Sequence, residues 1–144
     1  MIPVLIGLAA WEMAWWARRV LQRESLYDAA QADARARGVP LLVVGAPDAG
    51  ATPGPGCGDL SVDLQPSTCP RHLQQDLARG LPLRDQSVVV FVSCVLEYVD
   101  DYEACMRELT RVSASRLYIV RVEPWTFAAY LYPGAKRTLQ ARIV

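Results

Sequence analysis

CxxC pairs, a second histidine, an excess of either charge and internal repeats are all missing from this chain of 144 residues. Each absence removes a class of function. One histidine, His72, and four scattered cysteines, Cys57, Cys69, Cys94 and Cys105, cannot assemble a standard zinc-ligand spacing. Fifteen Lys and Arg against fifteen Asp and Glu leave no basic face for gripping phosphate backbones, which argues against nucleic acid as a partner. The cysteines read as reduced thiols of a cytoplasm-like compartment, with Cys94 and Cys105 buried. The length fits a single domain with a real core.

Charge is scarcest at the N-terminus. From Met1 to Ala17, "MIPVLIGLAAWEMAWWA", the one charged side chain is Glu12, and the run ends at Arg18, Arg19 and Arg23. A secretory signal peptide carries its positive charge before the apolar run, so this order predicts a retained membrane helix over 1–23. The positive-inside rule then puts the N-terminus outside and the globular domain in the cytoplasm, with Trp15 and Trp16 at the inner interface. Gly7, Ala10 and Ala14 form a small-residue face for an integral membrane partner, and Trp11, Glu12, Arg18 and Arg19 complete the expected anchor and partner contacts. A helix packed on the protein's own core ranks second, because tryptophans and leucines fall on most sides of the wheel.

Beyond the arginines, "ESLYDAAQADARARG" predicts a connecting helix over 24–38 that stops at Gly38 and continues the first helix like a stalk. "VPLLVVG" has the pattern of a buried parallel strand, and "APDAGATPGPGCG" is a Pro/Gly loop. "DLSVDL" predicts a strand ending at Asp63, and "VVVFVSCVL" a strand covered on both faces. "DDYEACMRELTRVS" predicts a helix capped by Asp100 or Asp101, with Cys105, Leu109 and Val112 on one face. "RLYIVRV" is a further strand. The stretch 65–87 reads as mostly irregular. This alternation predicts an α/β three-layer domain over 39–144 with a mainly parallel sheet.

The text from Asp76 to Val122, "DLARGLPLRDQSVVVFVSCVLEYVDDYEACMRELTRVSASRLYIV", resembles the central part of class I S-adenosylmethionine-dependent methyltransferases. "LPLRDQS", "VLEYVDD" and "RELTRV" occur together and in the family's order. The resemblance implies a Rossmann-like fold and a cofactor lying across the carboxyl ends of the strands. In that frame Gly45 ends the first strand, Asp63 would hold the ribose hydroxyls, Asp76 the adenine amino group, and Val95 and Leu96 would border the cofactor.

Other family features are missing. Where the family writes "D.G.G.G", this chain has "VVGAPDAG", with Val43 at the acid and Pro47 at a close-approach glycine, where it can neither donate a hydrogen bond nor vary φ. The helix normally following the first strand is replaced by Gly and Pro, the "PGG" turn reads "SASR", and little chain follows the fifth strand to cover its edge. The expectation is a degenerate, truncated methyltransferase-like domain without catalysis or cofactor, serving as a membrane-anchored accessory subunit of a larger complex. The aromatic segment "EPWTFAAYLYPGAKR" offers a second docking surface. The alternative is an active methyltransferase on a membrane-associated substrate, holding S-adenosylmethionine through Gly45, Asp63 and Asp76. His72 and the acid and aromatic pair Glu97 and Tyr98 read as structural.

Overall fold

The computed structural model describes residues 2–48, 54–120 and 142–143. The aromatic segment over 123–137 lies outside the described residues. Helix α1 spans Ile2–Arg37, so the anchor and connecting segments form one uninterrupted helix. After Pro3 nothing in it breaks helical geometry. It ends where the amides of Gly38 and Val39 return to the carbonyls of Arg35 and Ala34, just ahead of Pro40.

Five short strands follow in parallel: β1 (Leu41–Val44), β2 (Leu60–Asp63), β3 (His72–Gln74), β4 (Val88–Ser93) and β5 (Ser113–Val120). A two-residue strand, β6 (Arg142–Ile143), pairs antiparallel with Tyr118 and Ile119 of β5. The spatial order is β3-β2-β1-β4-β5-β6. Helix α2 (Tyr102–Val112) joins β4 to β5, starting at Asp101, whose carboxylate accepts from the Ala104 amide at 2.9 Å.

Alternation along the strands sorts the core into two layers. Leu42, Val44, Val88, Val90 and Val92 face the side of Cys105, Leu109 and Val112 on α2. Leu41, Val43, Val89 and Phe91 face Tyr27, Ala30 and Ala34 of α1, with the Tyr27 and Phe91 rings edge to face at 5.4 Å. The small alanines let α1 approach the sheet closely, which fixes the three-layer arrangement.

A tripartite polar contact locks α1 at one end. Asp33 accepts from Ser115 Oγ at 2.6 Å, Tyr118 Oη at 3.1 Å and Arg37 Nε at 2.8 Å. The Ser115 hydroxyl is the main cause of a lowered Asp33 pKa. Because the folded carboxyl titrates below its unfolded value, this stabilisation is complete above the unfolded pKa and is lost as pH falls through the folded one. Asp33→Asn should therefore flatten the acid limb of thermal stability below the usual aspartate range. Melting curves across acidic pH check this, and curves that stay parallel to the wild type would contradict it.

Two expectations are corrected. Among the described residues no helix is long and apolar enough to cross a membrane. The physical reason is that the apolar part of α1, Ile2 to Ala17, covers about 24 Å at helical rise before Arg18 and Arg19. A hydrocarbon core is about 30 Å thick. Second, Cys57 and Cys69 are not thiols but a disulfide across 12 residues. The connections before and after β2 run side by side, a proximity no CxxC spacing announces. Cys94 and Cys105 are the free cysteines, half-buried and buried.

Among the described residues no helix bridges β1 and β2. Of the Gly/Pro loop, Gly56 and Gly58 lie against Tyr27 of α1, and the Gly58 amide donates to the Tyr27 hydroxyl at 3.2 Å. A Cβ at Gly56 would come within 2.4 Å of the Tyr27 hydroxyl, and one at Gly58, with φ +58°, within 2.8 Å of the Leu41 carbonyl. Only glycine permits both the approach and that conformation.

Candidate functional site

In an open α/β sheet, ligands bind outside the carboxyl ends of the strands where the strand order reverses. Here the reversal falls between β1 and β4. The loops after β1 and β4 meet at this point. Gly45 takes φ +115°, and its amide donates to the Val62 carbonyl at 2.9 Å. A Cβ there would stand 3.1 Å from both the Ser93 carbonyl and Val95 Cγ2. The glycine therefore serves a close approach of the chain to itself, with Val95 leaning into the space before it.

Asp63 closes β2 as expected, and both of its carboxylate oxygens are engaged. Oδ2 accepts from the Ala46 amide at 2.7 Å and Oδ1 from the Gln65 amide at 3.1 Å. Asp63 thus ties the end of β2 to the loop after β1. Asp76 follows β3 and caps a single 3-10 turn, Leu77–Arg79, accepting from the Ala78 amide at 2.9 Å. Leu96 is 1% exposed and belongs to the α2-side core, while Val95 packs against that core from its margin. Gly45, Asp63 and Val95 are brought together at the reversal. Asp76 stands one strand further out.

The retained motifs have a structural explanation. Glu108 Oε1, from "RELTRV", accepts from the Leu81 amide of "LPLRDQS" at 2.6 Å. Arg111 donates to the carbonyls of Leu81 and Leu83 and to Asp85, and pairs with Glu108. The Arg111 guanidinium holds the Glu108 carboxyl below its ordinary range, and Glu108 in turn raises Arg111. These two motifs bolt the segment before β4 onto α2, a structural role that needs no cofactor. Glu108→Ala should lower folding stability by about 2 kcal/mol, since it strands a half-buried amide and a guanidinium. Denaturant unfolding measures this, and an unchanged midpoint would refute the structural role.

A second tie joins the loops beyond β1 and β2. Asp48 accepts from Ser67 Oγ, the Thr68 amide and Thr68 Oγ1, and these bonds, the Ser67 hydroxyl foremost, hold its carboxyl well below the usual range. His72 meets Ser61 Oγ through Nδ1 and the Gln65 carbonyl through Nε2, both at 2.9 Å. A serine beside an imidazole suggests a nucleophile, but Ser61 is 1% exposed inside the sheet, beyond reach of a substrate.

The turn after β4 holds what the sequence did not announce. Cys94 adopts φ +52°, a conformation that no hydrophobic pattern signals. Burial, with the Glu97 charge behind it, pushes the Cys94 thiol up to about 12, against the pull of Arg19 and Arg23. Glu97 is 4% exposed. Arg19 is half-buried on α1. The other expected anchor residues are distributed around the helix. An added Cβ at Gly7 meets nothing within 4 Å, and Trp11 and Trp16 are exposed. Trp15 sits edge to face with Trp11 at 5.6 Å and beneath the Arg18 guanidinium at 5.1 Å. Glu12 is half-buried. Among the described residues no group of His, Cys, Asp and Glu is arranged to hold a metal ion.

Comparison of the chain with protein-family models, curated proteins and solved structures gives no match.

Proposed function

We propose that this protein is a membrane-seated accessory subunit of a larger membrane protein assembly, built on a methyltransferase-like α/β domain without catalysis. The observation that carries the reading is the bare N-terminal half of α1, where Val4, Ile6 and Met13 are 66%, 63% and 62% exposed and Leu5, Leu8, Trp11 and Trp16 are exposed with them. An apolar surface of this extent requires cover. It is rigidly continuous with the helix that forms one face of the domain core, so whatever holds it holds the domain. The helix enters the membrane without crossing it. The positive-inside rule, a rule for crossing helices, then no longer assigns the domain to the cytoplasm, and the Cys57–Cys69 disulfide favours an oxidising compartment.

The loss of catalysis is supported by Asp63 engaged through both oxygens, by Gly45 backed by Val95, and by Pro47 where the family needs a glycine. Fractionation without detergent tests the reading. The protein should sediment with membranes, resist high salt, and in mild detergent migrate in an assembly containing an integral membrane protein. Full recovery as a soluble monomer would overturn it.

A second reading, an active S-adenosylmethionine-dependent methyltransferase on a membrane-associated substrate, is favoured by one observation. Gly45, Asp63 and Asp76 all follow the carboxyl ends of strands in a sheet of order β3-β2-β1-β4-β5. Titration with the cofactor separates the two.

A further inference from the structure

The direction of α1 relative to the sheet has a geometric consequence. At its C-terminal end, Arg37 donates to the Ala114 carbonyl and Asp33 accepts from Ser115, both at the amino end of β5. Six residues earlier on the helix, the Tyr27 ring packs edge to face on Phe91 at 5.4 Å, towards the carboxyl end of β4. The helix therefore runs antiparallel to the strands, and its bare half projects past their carboxyl ends. That is the end where the strand order reverses and the candidate site lies.

Burial supplies an independent sign. Among the described residues the large exposed hydrophobics are Val4, Leu5, Ile6, Leu8, Trp11, Met13, Trp16 and Leu21 on α1, and one residue elsewhere, Leu64 at 62%. Leu64 directly follows β2, at that same end of the sheet. The large exposed hydrophobics among the described residues are thus gathered on one side.

We infer that the carboxyl end of the sheet faces a lipid bilayer, with α1 inserted tip first and Leu64 as a second contact at the surface. This rests on the membrane-seated reading above. The occupant is lipid because the α1 tip is apolar on all sides. A second copy or a protein groove requires only one stripe, whereas an isotropic apolar medium suits the whole circumference. Trp11, Trp15 and Trp16 occupy one level of the helix, with the exposed Arg18 next to them, the amphipathic ring and positive charge that match an anionic headgroup layer. From Tyr27, packed on Phe91 two residues before the end of β4, to Trp15 is about 18 Å along the helix axis. The headgroups then lie just above the loops of Gly45, Asp63 and Val95, so a partner or ligand met at this end is itself membrane-embedded or a lipid headgroup.

The test is an environment-sensitive fluorophore on Leu64→Cys and, at the opposite end, on Arg84→Cys, with the parent protein treated identically as a control for Cys94. Vesicles of phosphatidylcholine with and without phosphatidylglycerol are added to the full chain, and co-flotation is measured in parallel. The expected result is a blue shift and intensity gain at position 64, larger with phosphatidylglycerol, and no change at 84. Co-flotation with no shift at 64, or with the shift at 84 instead, would overturn the orientation while leaving the seated reading intact. Failure to float would overturn both.

Discussion

Replacing Leu5 and Ile6 together by aspartate should release the protein from membranes while leaving its fold unchanged. Both side chains are well exposed, at 59% and 63%, and neither belongs to the two core layers of the domain. Each aspartate in an inserted helix costs about 3 kcal/mol relative to the apolar residue it replaces. The pair should therefore lower the partition coefficient by at least about a thousandfold. Vesicle flotation reads the effect directly, and far-UV circular dichroism confirms that α1 remains helical. A doubly substituted protein that still floats would show that the apolar tip is not what holds it.

The disulfide carries the largest expected effect on folding. Cys57 and Cys69 stand 12 positions apart and tie together the connections before and after the short strand β2. Closing a loop of that length restricts the unfolded chain by about 3 kcal/mol. Cys57→Ser, Cys69→Ser and the double substitution should all lose that amount, and lose it equally, because they remove one bond. Carrying out urea unfolding on the Leu5→Asp, Ile6→Asp background allows measurement without detergent. Unchanged midpoints, or a double variant twice as damaged as either single one, would contradict the assignment.

Where the hydrophobic pattern was strong, the sequence was legible. "VVVFVS" is apolar without interruption because β4 lies mid-sheet between two helices, and all but its last residue are buried. Helix α2 carries its buried Cys105, Leu109 and Val112 at helical spacing behind an aspartate cap. Strand β3 was not legible. "HLQ" is three residues at a sheet edge, half-buried to exposed, and its pairing comes from β2 and not from any pattern of its own. "SASR" reads as a turn by composition, yet β5 begins at Ser113, where a register irregularity lets it join β4 early.

At the site, positions were legible and partners were not. Asp63 ends β2 as expected and Asp76 follows a strand the sequence did not predict, but sequence spacing cannot show that the amides of Ala46, Gln65 and Ala78 take their oxygens. Nor can it show what Glu108 and Arg111 hold, since their hydrogen bonds reach back 27 to 30 residues. The apolar N-terminus reads as a membrane helix, and it forms a helix whose apolar part is too short to span. The packing of Tyr27 on Phe91, 64 residues apart, is likewise a contact that periodicity cannot reveal.

The central claim, a membrane-seated fold whose cofactor crevice no longer functions, is tested most directly by calorimetric titration of the detergent-solubilised protein with S-adenosylmethionine and S-adenosylhomocysteine, alongside Asp63→Ala. The account predicts no saturable heat from folded protein with either ligand. Binding in the micromolar range, about −8 kcal/mol, that disappears in Asp63→Ala would contradict it. Asp63 would then exchange its backbone partners for a ribose, and the protein would be an enzyme acting at the membrane surface.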